Sequence, residues 1–501
     1  MINVTGMIFV KRKNSLFMKK FNLFADFIVK NSVLLMLTFF CVSFIVCVAK
    51  YTVSYPEYLQ LFELLWLIPV GVMGILIFFA IKYTHRLDEY KYIFVWSVFF
   101  IFQSALFITL FDSVPAGDGG GIYNEALRIY NENTFVLDRS NYFYRCYWLV
   151  GTVGFDLLVM KIFGTSFLIF KCLSTLLIFG SGIVLYYIIK NHIDINVAKI
   201  SLALFFTFLP LTLTVSCFFH QHMAIFLLLF AILMCEKITP VKAIIAGVAI
   251  GSMDQFRPWG LLFIIAVVLC TAYNILFKTN GYKKNIKDIC SVLLLFLFFV
   301  ATDELLTQCL INAGLLAEAS EEANNMLLIK IIRGIDPDMN EFFTYANEVT
   351  KELDGEDFTK AIRSVYIQHI YELLISPKAY LYVLNKMSRM FGEVDYWFEN
   401  IYPGKNPDIY LNYPHRIIYF FNWFQYVLML PISFIGYLKY RKDNTFCLLT
   451  VMTIGYFLSH LFIEAFSSYR VGVYPLIIMY TAYFINEMLN KKTILKLEKK
   501  N

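Results

Sequence analysis

Charge is scarce in this chain. Asp, Glu, Lys and Arg make up 16% of its 501 residues, where soluble domains carry about a quarter. So little charge excludes a soluble globule, and 59% apolar residues, 51 Phe, 33 Tyr and a mean hydropathy of +0.63 point the same way. Internal repeats, low-complexity tracts and linkers are missing, which excludes solenoids and tethered domains. A disulfide framework is missing too: Cys41, Cys47, Cys172, Cys235, Cys270, Cys290 and Cys447 lie in apolar runs, where a thiol acts as a small hydrophobe. Cys146 and Cys309 are the pair that can both face the outside. The net charge of +6 is modest and concentrated on one side, so it reports membrane orientation and gives no footing for nucleic acid.

What is present is a series of apolar runs. The first, 33–48, follows Lys11, Arg12, Lys13, Lys19 and Lys20 in the charge layout of a signal sequence. It is too long for one, and Val48-Ala49-Lys50 is no cleavage site, so a retained span is expected. Further spans are expected over 62–81, 92–111, 167–189, 198–219, 223–236, 241–256, 259–277, 288–306, 417–437, 445–463 and 472–489, about twelve in all. The run 148–163 is apolar but carries Gly151, Gly154, Asp156 and Lys161. If it lies in the interface, the basic loops 82–91, 190–199, 237–242, 278–287 and 439–442 and the tail from Lys491 share one side, as the positive-inside pattern requires. The chain then divides into a cytoplasmic N-terminus with two added spans (1–91), a helical core (92–306) with a first outer loop at 112–147, a long outer loop of short helices (307–415), and C-terminal spans with a basic tail (416–501). The expected class is an all-α polytopic membrane protein with both termini cytoplasmic.

The chain is organised around 111–132, FDSVPAGDGGGIYNEALRIYNE. An apolar run stops there, and Asp112 and Asp118 follow among a proline and four glycines that forbid a continued helix, with helical character resuming at 122–130. A carboxylate at the mouth of a membrane bundle marks a site. The competing reading is a capped loop, with Asp112 closing one helix and Asp118 opening the next. Arg257 and Arg470 each adjoin an apolar stretch on the outer side. A guanidinium there grips phosphate through two parallel hydrogen bonds, or it snorkels to the interface. Lys386, within 377–391, adds positive charge or belongs to a solvated face. His220 and His222 stand two apart and do not face the same way on one helix, so they read as a polar break ahead of a metal pair. No metal ligand is assigned, and a divalent cation stays open as a cofactor. Glu464 pairs with Arg470 or orients Tyr469, because an unpaired carboxylate at that depth is costly.

The order of Asp118, Ile122-Tyr123, Ala126, Asn141-Tyr142-Phe143, Lys161-Ile162-Phe163-Gly164, Leu185-Tyr186-Tyr187 and Leu209-Pro210 resembles integral-membrane glycosyltransferases of the GT-C fold. The likeness is to the protein-mannosyltransferase and aminoarabinose-transferase-like group, glycosyltransferase family 39-like. Phe256-Arg257-Pro258-Trp259-Gly260-Leu261 resembles the group's Arg-Pro helix start, and Glu464 through Ser468-Tyr469-Arg470 to Tyr474-Pro475 its late segment. Three places depart from the pattern: Gly119 stands where relatives carry an acidic residue, Tyr469-Arg470 is reversed, and His220-Gln221-His222 replaces a second-loop acid. The resemblance implies a GT-C-like bundle with interfacial helices on its outer face. It also implies inverting transfer of a sugar from a polyprenyl-phosphate donor to a glycan, lipid or protein acceptor of the cell envelope, on the extracytoplasmic side. Asp118 would be the base for the acceptor hydroxyl, and Arg257, Arg470 and Lys386 would hold the donor phosphate. Asp112, Tyr123, Glu464, Tyr469, His220 and His222 would line the substrate or stand directly behind the residues that do. The alternatives are a flippase of lipid-linked saccharides, which wants broken spans in matching halves, and a non-catalytic membrane scaffold.

Overall fold

A computed structural model describes residues 23–43, 45–46, 67–111, 113–115, 117–132, 143, 149–218, 220–277, 282–315, 413–440, 447–463 and 467–498, with isolated positions between 360 and 391. The described residues are helical almost throughout, with no strand among them. In chain order the helices are α1 (Leu23–Ser43), α2 (Leu67–Thr84), α3 (Glu89–Leu110), α4 (Gly117–Glu132), α5 (Val150–Phe163), α6 (Phe167–His192) and α7 (Ile195–Thr207). There follow α8 (Leu209–Thr212), α9 (Gln221–Cys235), α10 (Pro240–Asp254), α11 (Gly260–Phe277), α12 (Tyr282–Asn312), α13 (Tyr413–Tyr440), α14 (Leu448–Phe462) and α15 (Tyr474–Glu498).

Four of these stretches are long and apolar enough to cross a membrane: α1, α3, α6 and Lys284–Asn312 within α12. A fifth is made by α7 and the segment Leu209–Ser216, bent by 54° where they join. Large apolar side chains of α2 and α3, Ile68, Val72, Phe94 and Phe102 among them, are exposed. Such surface is sustainable only against lipid or another apolar partner. The chain is therefore a helical membrane protein.

Two boundaries differ from expectation. The first helix already covers 23–32, ahead of the expected start at 33, because Lys30 and Asp26, one turn apart, pair at 2.6 Å and neutralise each other there. α4 begins at Gly117, five residues before the expected return to helix. Gly120 is there for close approach: a Cβ on it would lie 2.6 Å from the Pro115 carbonyl carbon. Asp112, Cys146 and most of 307–415, including all its expected short helices up to residue 359, lie outside the described residues.

The helix ends sort into two sets. At one end Lys190 pairs with Glu89, Asn191 donates to Glu236 at 2.8 Å, and Lys199 donates to the Leu87 carbonyl at 2.7 Å. At the other end lie α4 and α5, the join after α7, and the turns from α10 to α11 and from α14 to α15. Both ends of α5 touch that second set: Gly151 abuts Gln255, and Thr165, just past its C-terminus, accepts from the Tyr123 hydroxyl. α5 thus lies across the bundle end. A main core of α6, α7, α9, α10, α13 and α15 fills the bundle, and a smaller one, with Ile122, Ala126, Val153, Leu157 and Met160, joins α4 to α5.

One close joint is between α10 and α12. Gly247 and Gly251, four apart, let the helices meet: a Cβ would stand 2.6 Å from the Leu295 carbonyl oxygen or 2.7 Å from that of Phe299. Gly251→Leu is expected to cost about 1–3 kcal/mol through overpacking. Gly74→Leu on α2, where nothing lies within 4 Å, is expected to be neutral. Thermal unfolding of both purified variants in detergent, followed by fluorescence, checks the contrast.

Candidate functional site

The site grows from the join after α7. Pro210 has no N–H, and its ring excludes the carbonyl four residues back, that of Phe206. The helix stops at Thr207, and its freed backbone groups need partners inside the protein. Gln425 of α13 supplies two of them: Leu209 N–H donates to its Oε1 at 2.7 Å, and its Nε2 donates to the Thr207 carbonyl at 2.7 Å. Gln103 of α3 supplies the third, donating to the Phe206 carbonyl at 3.3 Å and to Thr212 Oγ1 at 2.9 Å. A 3-10 turn over Leu213–Ser216 follows, and then Phe218 at φ 45, in the left-handed region. For a residue with a side chain that conformation costs about 1–2 kcal/mol. Ring contacts hold it, Phe218 packing on Phe170 at 5.0 Å and on His220 at 4.7 Å.

Two histidines leave this join in different directions. His220 Nε2 stands 3.1 Å from both carboxylate oxygens of Asp156, which is fully buried within α5. Burial pushes the Asp156 carboxyl above its ordinary range, and the imidazole beside it pulls it back. His222 instead bridges Ser174 Oγ and Thr214 Oγ1, each at 2.6 Å. The pair therefore shares no ligand direction, and among the described residues no three His, Cys, Asp or Glu side chains converge as a metal site would need. Lys171, also buried, lies one turn before Ser174 with its Nζ 5.3 Å from the Phe167 ring centroid. Tyr123 packs edge-on against Phe167 and Phe170, each at 5.3 Å.

A second group surrounds Tyr456. Its hydroxyl donates to the Tyr469 carbonyl at 2.8 Å, and its ring meets Trp259 at 5.1 Å and His460 at 4.3 Å. Three cations border this layer. The Arg257 guanidinium lies 5.7 Å from the Tyr469 ring centroid, and that of Arg470, only 1% exposed, lies 4.5 Å over Tyr426. Lys386 Nζ donates to the Leu461 carbonyl at 3.0 Å, and the residue is 7% exposed, so the solvated-face reading of it is corrected. The residue is buried because its ammonium finds the carbonyls left over at the end of α14. The two groups adjoin where Phe155, the neighbour of Asp156, packs at 5.2 Å on Phe256, the neighbour of Arg257.

Of the residues singled out from the sequence, Arg257, Arg470, Lys386 and Tyr469 come together, while His220 and Tyr123 sit with α4 and α5. Asp118 occupies the first turn of α4, and its side chain, like Asp112 and Glu464, lies outside the described part. The sequence reading did not assign Asp156, Lys171, Gln103, Gln425, Tyr456 or His460. An ionisable residue inside an apolar run was the available signal for Asp156 and Lys171. No protein-family model matches the chain, and no curated protein matches it either.

Gln425→Leu preserves bulk and leaves the Leu209 N–H and the Thr207 carbonyl without their partner. The expected cost is about 1–3 kcal/mol for each buried group so exposed. It is read as a lowered unfolding midpoint, with Gln425→Glu, which keeps an acceptor for Leu209, falling between the two.

Proposed function

We propose that the chain is a polytopic membrane glycosyltransferase of the GT-C kind, a bundle of about twelve spans that moves a sugar from a polyprenyl-phosphate donor to a cell-envelope acceptor. One observation carries the reading: three cations, Arg257, Lys386 and Arg470, gather around the Tyr456 layer at the bundle end where α4 brings Asp118. Transfer with inversion is a single displacement. The acceptor oxygen bonds to the anomeric carbon as the bond from that carbon to the phosphate oxygen breaks. Asp118 takes the acceptor proton, and the guanidinium and ammonium groups stabilise the departing polyprenyl phosphate. Arg257, half-buried at the α10–α11 turn, is the natural phosphate clamp.

The basic residues Lys190, Lys199, Lys237 and Lys439 belong to the opposite end, so this reading puts that end in the cytoplasm and the site outside. Labelling of a single cysteine at Asn280 is expected only after the membrane is permeabilised. Labelling in intact cells by an impermeant maleimide would reverse the orientation.

A flippase is the second reading, favoured by the bent span of α7 and Leu209–Ser216. Purified protein offered polyprenyl-phosphate sugars separates the two, because a flippase forms no new glycosidic bond. Asp118→Asn is expected to lose about 10²–10⁴ in transfer, or about 2.7–5.4 kcal/mol. Asp112→Asn should keep most of its activity, and Arg257→Lys should lose donor affinity, since one ammonium cannot replace the two-pronged fork. Wild-type transfer by Asp118→Asn would remove that residue as the base.

A further inference from the structure

The buried pair of Asp156 and His220 has no part in the displacement, yet it joins α5, the helix on which the Asp118-bearing α4 packs, to the bundle. Asp156 sits in the middle of α5, and His220 follows the one described non-glycine residue at positive φ, Phe218. That strained residue touches the α4 side twice. Its carbonyl oxygen faces Gly119, where a Cβ would be in ordinary contact at 3.5 Å, and its ring meets Phe170, which packs on Tyr123 of α4. On the far side of the turn His222 is fixed by Ser174 and Thr214. A strained backbone persists only where its surroundings over-determine it. Here the over-determination comes from ring packing and from the contact between the His220 imidazole and the Asp156 carboxyl.

We propose that Asp156 and His220 form a positioning pair for the first turn of α4, holding the turn around Phe218 and, through Gly119, setting where Asp118 stands. The pair does not touch substrate. His220 is 6% exposed and Asp156 wholly buried, so neither offers an atom to a sugar. What they provide is a fixed strut from α5 to the α7–α9 join, made of two groups that are costly to separate because each would be left as a buried polar orphan. The statement about Asp118 rests on the glycosyltransferase reading; the mechanical statement about α4 does not.

Two measurements on the full chain in detergent test the proposal, using Asp156→Asn, which keeps the size and an acceptor oxygen, and His220→Gln. Hydrogen exchange read by mass spectrometry is expected to accelerate several-fold in peptides covering 117–125 and 213–222, with peptides of α10 and α11 unchanged. Unchanged exchange at 117–125 in both variants, or equal acceleration along the whole chain, overturns the positioning role. Transfer from a polyprenyl-phosphate sugar is then compared in a double-mutant cycle. Asp156→Asn should lower kcat in the wild-type background, and the loss should vanish in an Asp118→Asn background, because a residue acting through another adds nothing once that other is gone. Additive losses overturn it. Local loosening of α4 in a protein that transfers no sugar would sink the glycosyltransferase reading and leave the strut standing.

Discussion

A backbone that breaks inside a membrane protein must find its hydrogen bonds within the protein, and the join after Thr207 is where this chain meets that demand. The cost of an unpaired peptide group away from water is larger than the net worth of an ordinary hydrogen bond. Two glutamines from distant helices, Gln103 and Gln425, therefore converge on three backbone groups and one hydroxyl. The break in turn fixes the relative placement of α3, α7 and α13, since each contributes to one hydrogen-bonded junction.

From this junction the path to the bundle end is short. The 3-10 turn and Phe218 turn the chain back so that His220 and His222 emerge against α5 and α6. Opposite, the turn after α14 carries Arg470 into the interior, and its guanidinium is accommodated over an aromatic face because guanidinium is weakly hydrated and stacks well. Arg257 lies likewise over Tyr469. Arg470, buried in this way, differs from a snorkelling arginine, which would extend toward water. The α4–α5 unit has its own small core, so it sits on the bundle end as a separate layer whose position depends on contacts at Phe155, Phe218 and Gln255.

Much of this was legible in the residues alone. Apolar run lengths and low charge determined a helical membrane protein, and loop charge separated the two ends. Pro115 marked the break between α3 and α4, although the four glycines expected to extend it lie inside α4, and Arg257, Tyr469 and Arg470 stood out as polar residues beside apolar runs. These signals survive without a structure because they follow from transfer free energy and from local backbone sterics, which act within a few residues.

Partnership was decided only by tertiary structure. Nothing local says that Asp156 meets His220, 64 residues away, or that Gln425 closes a break 216 residues earlier in the chain. Lys386 reads as a surface residue until its carbonyl partner at Leu461 is seen. The start of α4 at Gly117, against the low helix propensity of its glycines, is likewise set by contact, with Pro115 needing a helix surface without a side chain at Gly120. Sequence pattern carries the solvent preference of each segment. The choice of partner for a buried polar group depends on which segments packing brings together, and that is a property of the whole chain.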